Sequence, residues 1–250
     1  MATQCDARKR GATMTKKLFI CTSPRTYGKS AELTKLLAKR EGEDTHAQEI
    51  KTFFLSEHFI EGCTACDQCK DDFSCIINDD MQLLYPLLDE ADEIVIVSAV
   101  FFAGPPSQYK ALLDRLQPYF WKHLNEQVRK KRPAKLFVIG EGGDPHGFSP
   151  LVISTRSALA VAGFSLDAVY DARTLSIEEL SVFASHPELY QVEGEDFHSP
   201  HPPQIQVQKG RTLCQKSLST RAQTSQKNHE SAQQHQASKN SLHQQGDQDA

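Results

Sequence analysis

Five short apolar runs without helical period alternate with stretches whose leucines recur every three or four residues. The runs span Lys17–Thr22, Gln48–Leu55, Glu93–Ser98, Ala134–Ile139 and Phe164–Tyr170. Apolar on both faces, they predict strands buried inside a parallel sheet. The periodic stretches predict helices over Ser30–Arg40, with Leu33, Leu36 and Leu37 on one face, and over Met81–Ala91, capped by Asp79 or Asp80. Another opens after Gly104-Pro105-Pro106 and carries Leu112, Leu113 and Leu116; a fourth spans Pro150–Ala162. Ser176-Ile177-Glu178-Glu179 reads as a capping box that starts a last helix reaching about Ala184. Strands alternating with helices predict an α/β fold, a three-layer sandwich around a five-stranded parallel sheet of order 2-1-3-4-5. Ligands of such sheets bind beyond the carboxyl ends of the strands, which places the loops 23–30, 99–108 and 140–147 together.

The pattern fades at both ends. Residues 1–16 read as a disordered extension, 17–190 as one folded domain with a cysteine-rich loop at 58–78, and 191–250 as a disordered Gln/Ser-rich tail. Residues 199–250 hold twelve Gln and no aromatic residue, too little apolar area to offset the entropy of ordering. Of the net charge of −4, residues 1–16 carry +3 and residues 199–250 carry +3, which leaves −10 on the body. An acidic body is a poor nucleic-acid binder. The one basic run, Arg129 to Arg132 with Lys135, reads as a solvated loop. Seven cysteines, four of them clustered, argue against a secreted disulfide framework. The N-terminus lacks the apolar core of a signal peptide, and no apolar run is long enough to span a bilayer. A cytoplasmic protein that binds neither membrane nor nucleic acid is expected.

Four of the cysteines, Cys63, Cys66, Cys69 and Cys75, follow the spacing C-x2-C-x2-C-x5-C. Two-residue gaps let successive thiolates turn toward one point, and the longer gap gives slack for a fourth. Such compact runs hold iron–sulfur clusters, so the four are read as ligands of one [4Fe–4S] cluster. A zinc site, a redox disulfide and a metal-free loop are the competing readings; structural zinc usually pairs two separated knuckles. The first sheet-edge loop supplies the hydroxyls of Ser23, Thr26 and Ser30 and the charges of Arg25 and Lys29 around Gly28. At the start of a helix these suit a single phosphate. A triphosphate cradle is excluded because Ser23 stands where it needs a glycine. In the second loop, Ala99, Val100, Phe101, Phe102 and Ala103 place two aromatics where a flat ring could pack. In the third, Gly140, Glu141, Gly142 and Gly143 allow close backbone approach, and His146 reads as a surface histidine. No residue stands out as a catalytic acid or base.

Three blocks together resemble a known family: Ser-Pro-Arg-x-x-Gly-x-Ser at 23–30, the cysteine run followed by Ile-x-Asp-Asp-Met at 77–81, and Val-Phe-Phe-x-Gly-x-x-Ser-Gln-x-Lys at 100–110, continuing to Asp114-Arg115. With Gly-Glu-Gly-Gly-Asp-Pro-His-Gly at 140–147 they are similar to iron–sulfur flavoproteins within the NAD(P)H-dependent FMN reductase group of the flavodoxin-like superfamily. The resemblance covers 17 to about 175. It implies a flavodoxin-like sandwich in which Ser23, Arg25, Lys29 and Ser30 hold the FMN phosphate. Residues 99–103 would contact the isoalloxazine ring, and 140–143 would close over it. The family often has Pro at 99, Tyr at 101, Gly at 103 and Asn at 29; here they are Ala, Phe, Ala and Lys.

The resemblance also implies an FMN-dependent oxidoreductase that relays electrons from a low-potential donor such as ferredoxin, through the cluster, to FMN and a small-molecule acceptor. It implies a homodimer or homotetramer in which a cluster lies close to a neighbouring subunit's flavin. A ferredoxin is acidic, so docking on this body needs a local basic site, expected at 129–135. The alternative is an NAD(P)H-dependent FMN or quinone reductase without a cluster, with NAD(P)H as co-substrate. A zinc-stabilised adaptor with a partner-seeking tail is a third.

Overall fold

The computed structural model describes residues 14–44, 48–125, 130–202, 205–208 and 211–214. The chain divides into two units, residues 1–202 and 203–250. The first holds strands β1 (Thr15–Cys21), β2 (Gln48–Phe54), β3 (Glu93–Ala99), β4 (Arg132–Ile139), β5 (Phe164–Asp171) and β6 (Gln191–Val192). Its helices are α1 (Lys29–Asp44), α2 (Cys69–Asp72), α3 (Met81–Glu90), α4 (Ser107–Asp114), α5 (Gln117–Asn125), α6 (Ser149–Val161) and α7 (Glu179–Ser185). The sheet order is β2-β1-β3-β4-β5-β6. The first five strands are parallel; β6 is antiparallel to β5, pairing Val169 with Val192 and Tyr170 with Gln191.

The sheet therefore has six strands rather than five. Two residues suffice for β6, too few to show a periodic pattern, and they lie beyond the expected end of the domain at 190. The chain then makes a 3-10 turn over Gly194–His198 that buries Phe197 against Phe148. Residues 191–202 thus pack on the body. Thr15 and Lys16, expected in the extension, pair with Gln48 and Glu49 in β1. Residues 1–13 and 215–250 of the expected extensions lie outside the described residues. The second unit holds an antiparallel hairpin of β7 (Ile205–Gln208) and β8 (Arg211–Cys214), inside the stretch expected to be disordered.

Alternation along the strands fills two cores. Leu18, Ile20, Ile94, Ile96, Leu136 and Val138 face one layer with Leu84, Leu112, Leu113 and Leu151. Phe19, Val95, Val97, Phe137 and Ile139 face the other with Leu33, Leu37, Leu180 and Phe183. Each fully buried Leu, Ile or Phe contributes about 1.5–3 kcal/mol relative to exposure. The helix expected after Pro106 is two: α4 ends at Asp114 and α5 restarts at Gln117, with Pro118 in its first turn. The capping box forms, Ser176 N–H to Glu179 Oε2 at 2.8 Å and Glu179 N–H to Ser176 Oγ at 3.3 Å.

The basic run is not a free patch. Arg132 Nη1 donates to the carbonyls of Leu88, Asp89 and Ala91 at the end of α3, and its guanidinium lies 4.0 Å over the Phe164 ring. Lys135 pairs with Glu93 at 2.7 Å. Arg129 lies outside the described residues, and Lys130 and Lys131 are exposed. The run also lies at the start of β4, at the edge of the sheet opposite the loops that follow the strands. Eight strand residues separate the two edges, about 25 Å.

Candidate functional site

Backbone ladders run past the ends of the strands and fix the three loops. Thr22 N–H donates to Val97 O at 2.9 Å, Val100 N–H to Ile139 O at 2.9 Å, and Thr174 N–H to Gly140 O at 2.7 Å. Together the loops enclose a cavity of about 390 Å3, within the ~300–1,000 Å3 usual for ligand sites. Ser23, Arg25, Gly28, Lys29, Ser30, Ala99, Val100, Phe101, Gly140 and Glu141 line it, all expected from the sequence. Tyr27, Ile139 and Ile177 line it too and were missed. Tyr27 stood between two expected residues, an exposed aromatic in a polar loop; Ile177 was read only as part of a cap.

At one end of the cavity, α1 begins at Lys29 with its first N–H groups unspent in the helix, an electropositive terminus. Gly28 has φ 121°, which lets the chain turn sharply into the helix. Ser23 and Ser30 are buried, and Ser23 Oγ accepts the Arg25 N–H at 3.2 Å. Lys29 Nζ reaches across to Glu141 Oε1 at 3.1 Å, joining the first loop to the third. Hydroxyls, two cations and a helix terminus suit one phosphate group.

The second loop is a two-residue turn. Phe101 and Gly104 exchange backbone hydrogen bonds at 3.0 and 2.9 Å, with Phe102 at φ 49° and Ala103 at φ 61° between them. Both central residues are left-handed, a conformation that favours Asn or Gly. The turn points Phe102 fully into solvent and buries Ala103, so neither lines the cavity, whereas Phe101 does. Thr26, Gly142 and Gly143 also lie off it. Gly142 and Gly143 instead face the 197–201 segment: Gly143 N–H donates to Pro200 O at 2.7 Å. Arg173, buried and paired with Asp171 at 2.8 Å, donates to Ser199 O and so ties that segment to the end of β5. His146 is exposed, as expected.

The cysteine loop forms a second cavity of about 340 Å3, walled by Cys63, Cys66, Cys69 and Cys75 on one side and by Asp114, Arg115, Gln117, Pro118 and Trp121 on the other. Ala65, Asp67 and Phe73 hold positive φ of 53°, 63° and 58°, each costing roughly 1–3 kcal/mol in a non-glycine residue. All four cysteines border the one cavity. Burial pushes the Cys69 thiol up, and charge on Cys75, Cys63 and Cys66 pushes it further. Yet no three His, Cys, Asp or Glu side chains among the described residues are arranged to hold a metal ion. The donor set fits an iron–sulfur cluster by its chemistry, four thiols around one cavity. A cluster interposes its own iron and sulfide, so its thiolates stand wider apart than those of one ion.

What holds this loop was illegible in the sequence. Arg115 is buried and forms a two-pronged pair with Asp79, Nη1–Oδ2 at 2.6 Å and Nη2–Oδ1 at 3.0 Å. The same guanidinium donates to Glu61 O at 3.0 Å and Ile77 O at 3.3 Å, on either side of the four cysteines. Asp79 also accepts from the N–H groups of Glu61 at 2.8 Å and Met81 at 3.0 Å, the second capping α3. Burial opposes its ionisation, but Arg115 and those two N–H groups hold its carboxyl below the usual range. Asp80 accepts from Phe59 N–H, and Gln82 Nε2 donates to Cys75 O and Ile77 O. Asp79, Asp80 and Arg115 belong to the blocks at 77–81 and 114–115; Gln82 lies one residue beyond.

Residues 15–170 match the family model described as NADPH-dependent FMN reductase. An iron-sulfur flavoprotein of Methanosarcina thermophila is 37% identical over 99 residues, 40% of this chain and 49% of that protein. An iron-sulfur flavoprotein of Methanocaldococcus jannaschii is 35% identical over 119 residues, 46% of this chain and 58% of that one. The chain thus spans about half the length of the curated relatives it matches. Among solved structures, Smu.1420 from Streptococcus mutans UA159 has a TM-score of 0.53 at 14% identity, covering 68% of this chain and 95% of that one; it bears on the fold alone. No helix among the described residues is long and apolar enough to cross a membrane.

Proposed function

Because the chain belongs to the NADPH-dependent FMN reductase family, we propose that it is an FMN-dependent oxidoreductase that takes electrons from a low-potential donor through a [4Fe–4S] cluster to FMN and a small-molecule acceptor. The observation that carries the flavin reading is the 390 Å3 cavity, with hydroxyls and cations gathered at the start of α1 and apolar backbone at the other end. FMN when bound supplies one- and two-electron chemistry, and the cluster supplies single electrons. The chain's own residues bind and orient. Arg25 and Lys29 neutralise the phosphate beside the α1 N–H groups, and Ser23 and Ser30 offer it hydroxyls. Val100, Phe101 and Gly140 form the wall at the ring end, and Ile139 and Ile177 exclude water from it. Cys63, Cys66, Cys69 and Cys75 hold the cluster.

The two cavities share no lining residue. Electron passage between protomers of a homodimer or homotetramer belongs to this reading. A loaded protein eluting as a monomer at micromolar concentration removes that route. A ferredoxin would dock on the loop side of the sheet, where the first cavity lies, rather than at 129–135, where Arg132 and Lys135 are already paired.

A second reading, an NAD(P)H-dependent FMN or quinone reductase without a cluster, is favoured by the match to a family described as NADPH-dependent FMN reductase. Protein purified without oxygen separates the two. About four irons and one FMN per chain, with a broad shoulder near 400 nm that fades on reduction, are expected. FMN without iron after anaerobic reconstitution, bleached rapidly by NAD(P)H, establishes the second reading. Neither cofactor overturns both.

A further inference from the structure

One side chain packs behind the third loop and against both of its ends. Arg173 follows β5 and is buried together with Asp171. Its Nε and Nη2 donate to the two carboxylate oxygens of Asp171 at 2.9 and 2.8 Å. Its stem closes the space beside Gly140, where an added Cβ would stand 3.5 Å from Arg173 Cγ. Its guanidinium lies 4.6 Å over the ring of Phe148, at the loop's far end. The same guanidinium then reaches the chain behind the loop: Nη2 donates to Ser199 O at 3.1 Å and Nη1 to Pro200 O at 3.4 Å. Two amides at the loop reach that segment as well, Gly143 N–H to Pro200 O at 2.7 Å and Phe148 N–H to Phe197 O at 2.8 Å. A buried ion pair is by itself weak evidence of stability, because apolar side chains of similar volume often fill its place without loss. Apolar side chains could not serve the carbonyls of Ser199 and Pro200, and the fork of an arginine can.

We propose that Arg173 is a positioning residue for the flavin: it latches residues 197–200 onto the third loop, and the latched loop slows the release of FMN. This rests on the flavin reading above. The third loop carries Gly140 and Glu141 in the wall of the first cavity, whereas Arg173 and residues 197–200 lie off it. Arg173 therefore acts through the loop and not on the ligand. Asp171 holds the guanidinium on one edge, which leaves the other edge aimed at Ser199 and Pro200. Loosening that edge frees the segment, and the amides of Gly143 and Phe148 lose their acceptors with it. The coupling runs both ways: a latch that favours bound FMN is favoured by bound FMN to the same factor.

The parent protein supplies the first test, amide hydrogen exchange with and without saturating FMN. The Gly143 and Phe148 amides should exchange about tenfold more slowly with FMN. The Asp80 amide, bonded to Phe59 O at 3.1 Å at the root of the cysteine loop, should slow by less than about threefold. Unchanged exchange at Gly143 and Phe148 overturns the proposal. So does equal slowing at all three amides, since FMN would then only stabilise the whole chain. The second test reads the rate at which FMN leaves, by flavin fluorescence after dilution; a loss of folded protein changes the amplitude of that signal and not its rate. Arg173→Lys keeps a cation beside Asp171 and loses the fork, and release should quicken about tenfold. Phe197→Leu loosens the same segment from its other side, where the Phe197 and Phe148 rings stand 5.7 Å apart; release should quicken about threefold. A parental rate in R173K overturns the proposal. A parental rate in F197L does too, because Arg173 would then act on Gly140 and Phe148 without the segment. If R173K does not fold, F197L and the exchange of the parent decide. A parent chain that never binds FMN removes the flavin reading itself, an outcome distinct from FMN bound without protection of Gly143 and Phe148.

Discussion

The two cavities are built by opposite means. The flavin-sized cavity inherits its shape from backbone: Thr22, Val100 and Thr174 extend the strand ladders into its walls. The cysteine cavity has no ladder beneath it. Its roots hang on side chains, with Arg115 and Asp79 at the centre and Asp80 and Gln82 beside them. A backbone frame distributes its support over many bonds of about 1 kcal/mol each. A side-chain clamp concentrates it in one buried ion pair, whose loss of either partner costs about 3–5 kcal/mol. Side-chain changes should therefore be mild at the first cavity and severe at the second.

Asp79→Ala gives the largest effect. It strands Arg115 without a counter-ion and should destabilise the chain by about 3–5 kcal/mol, read by urea unfolding. FMN affinity should change less than threefold in the protein that remains folded. Equal damage to FMN binding breaks the comparison, because the regions would then be one cooperative unit. Acid should act through the same pair. Asp79 has a folded pKa held below its unfolded value near 3.9. Its contribution is complete above that value and is lost as pH falls through the lower folded pKa. The loop should thus loosen only below about pH 4. Trp121, the chain's single tryptophan, lines the cysteine cavity, so its fluorescence in the flavin-free protein reports the transition. A transition centred near neutrality contradicts the assignment.

Gly147→Ala comes next and probes the first cavity from behind. Gly147 has φ 62°, and an added Cβ would stand 2.2 Å from Phe197 O. The third loop or the 197–199 segment must move, at a cost of about 2–3 kcal/mol. FMN affinity should fall with stability here, since the third loop carries Gly140 and Glu141. Retained affinity would show that the segment is a passive cover.

The sequence made the sheet legible because burial on both faces leaves runs such as Ile94–Val97 with few alternatives. It made the phosphate end of the cavity legible because hydroxyls, cations and Gly28 cluster within eight residues. It misplaced Phe102, whose exposure depends on the turn between Phe101 and Gly104, a backbone choice that Phe-Ala does not advertise. The strap at 191–202 was invisible because Val192 and Phe197 are isolated apolar residues in polar surroundings. The basic run misled because charge in a sequence says nothing about who accepts it: Arg132 is spent on three carbonyls at and just past the end of α3. Arg115 stood in a quoted block, but its acceptors lie 36 to 54 residues away in sequence, a relation no local spacing encodes.

Lys29→Ala should weaken FMN about tenfold, near 1.4 kcal/mol, by removing one of two cations at the phosphate end. Glu141→Gln should tighten it two- to threefold at low salt, because Glu141 competes for Lys29 at 3.1 Å and is exposed enough for salt to screen it. Both shifts are read by fluorescence titration. An E141Q effect that persists at 1 M salt would mean that Glu141 shapes the wall rather than competing for charge.

The smallest effect tests whether backbone conformation is what this cavity needs. Ala103 holds φ 61°, which costs an L-residue roughly 1–2 kcal/mol. Glycine removes that strain but gives the unfolded chain more freedom, worth about 0.4–1 kcal/mol. Ala103→Gly should therefore stabilise the chain by about 0.5–1 kcal/mol. FMN affinity should not change, since Ala103 lies off the cavity and its carbonyl still accepts the Leu151 N–H. A loss of stability would mean that the buried methyl contributes more than the turn strains. The second loop would then depend on side-chain packing, as the cysteine loop does, and the contrast between the two cavities would narrow to one of degree.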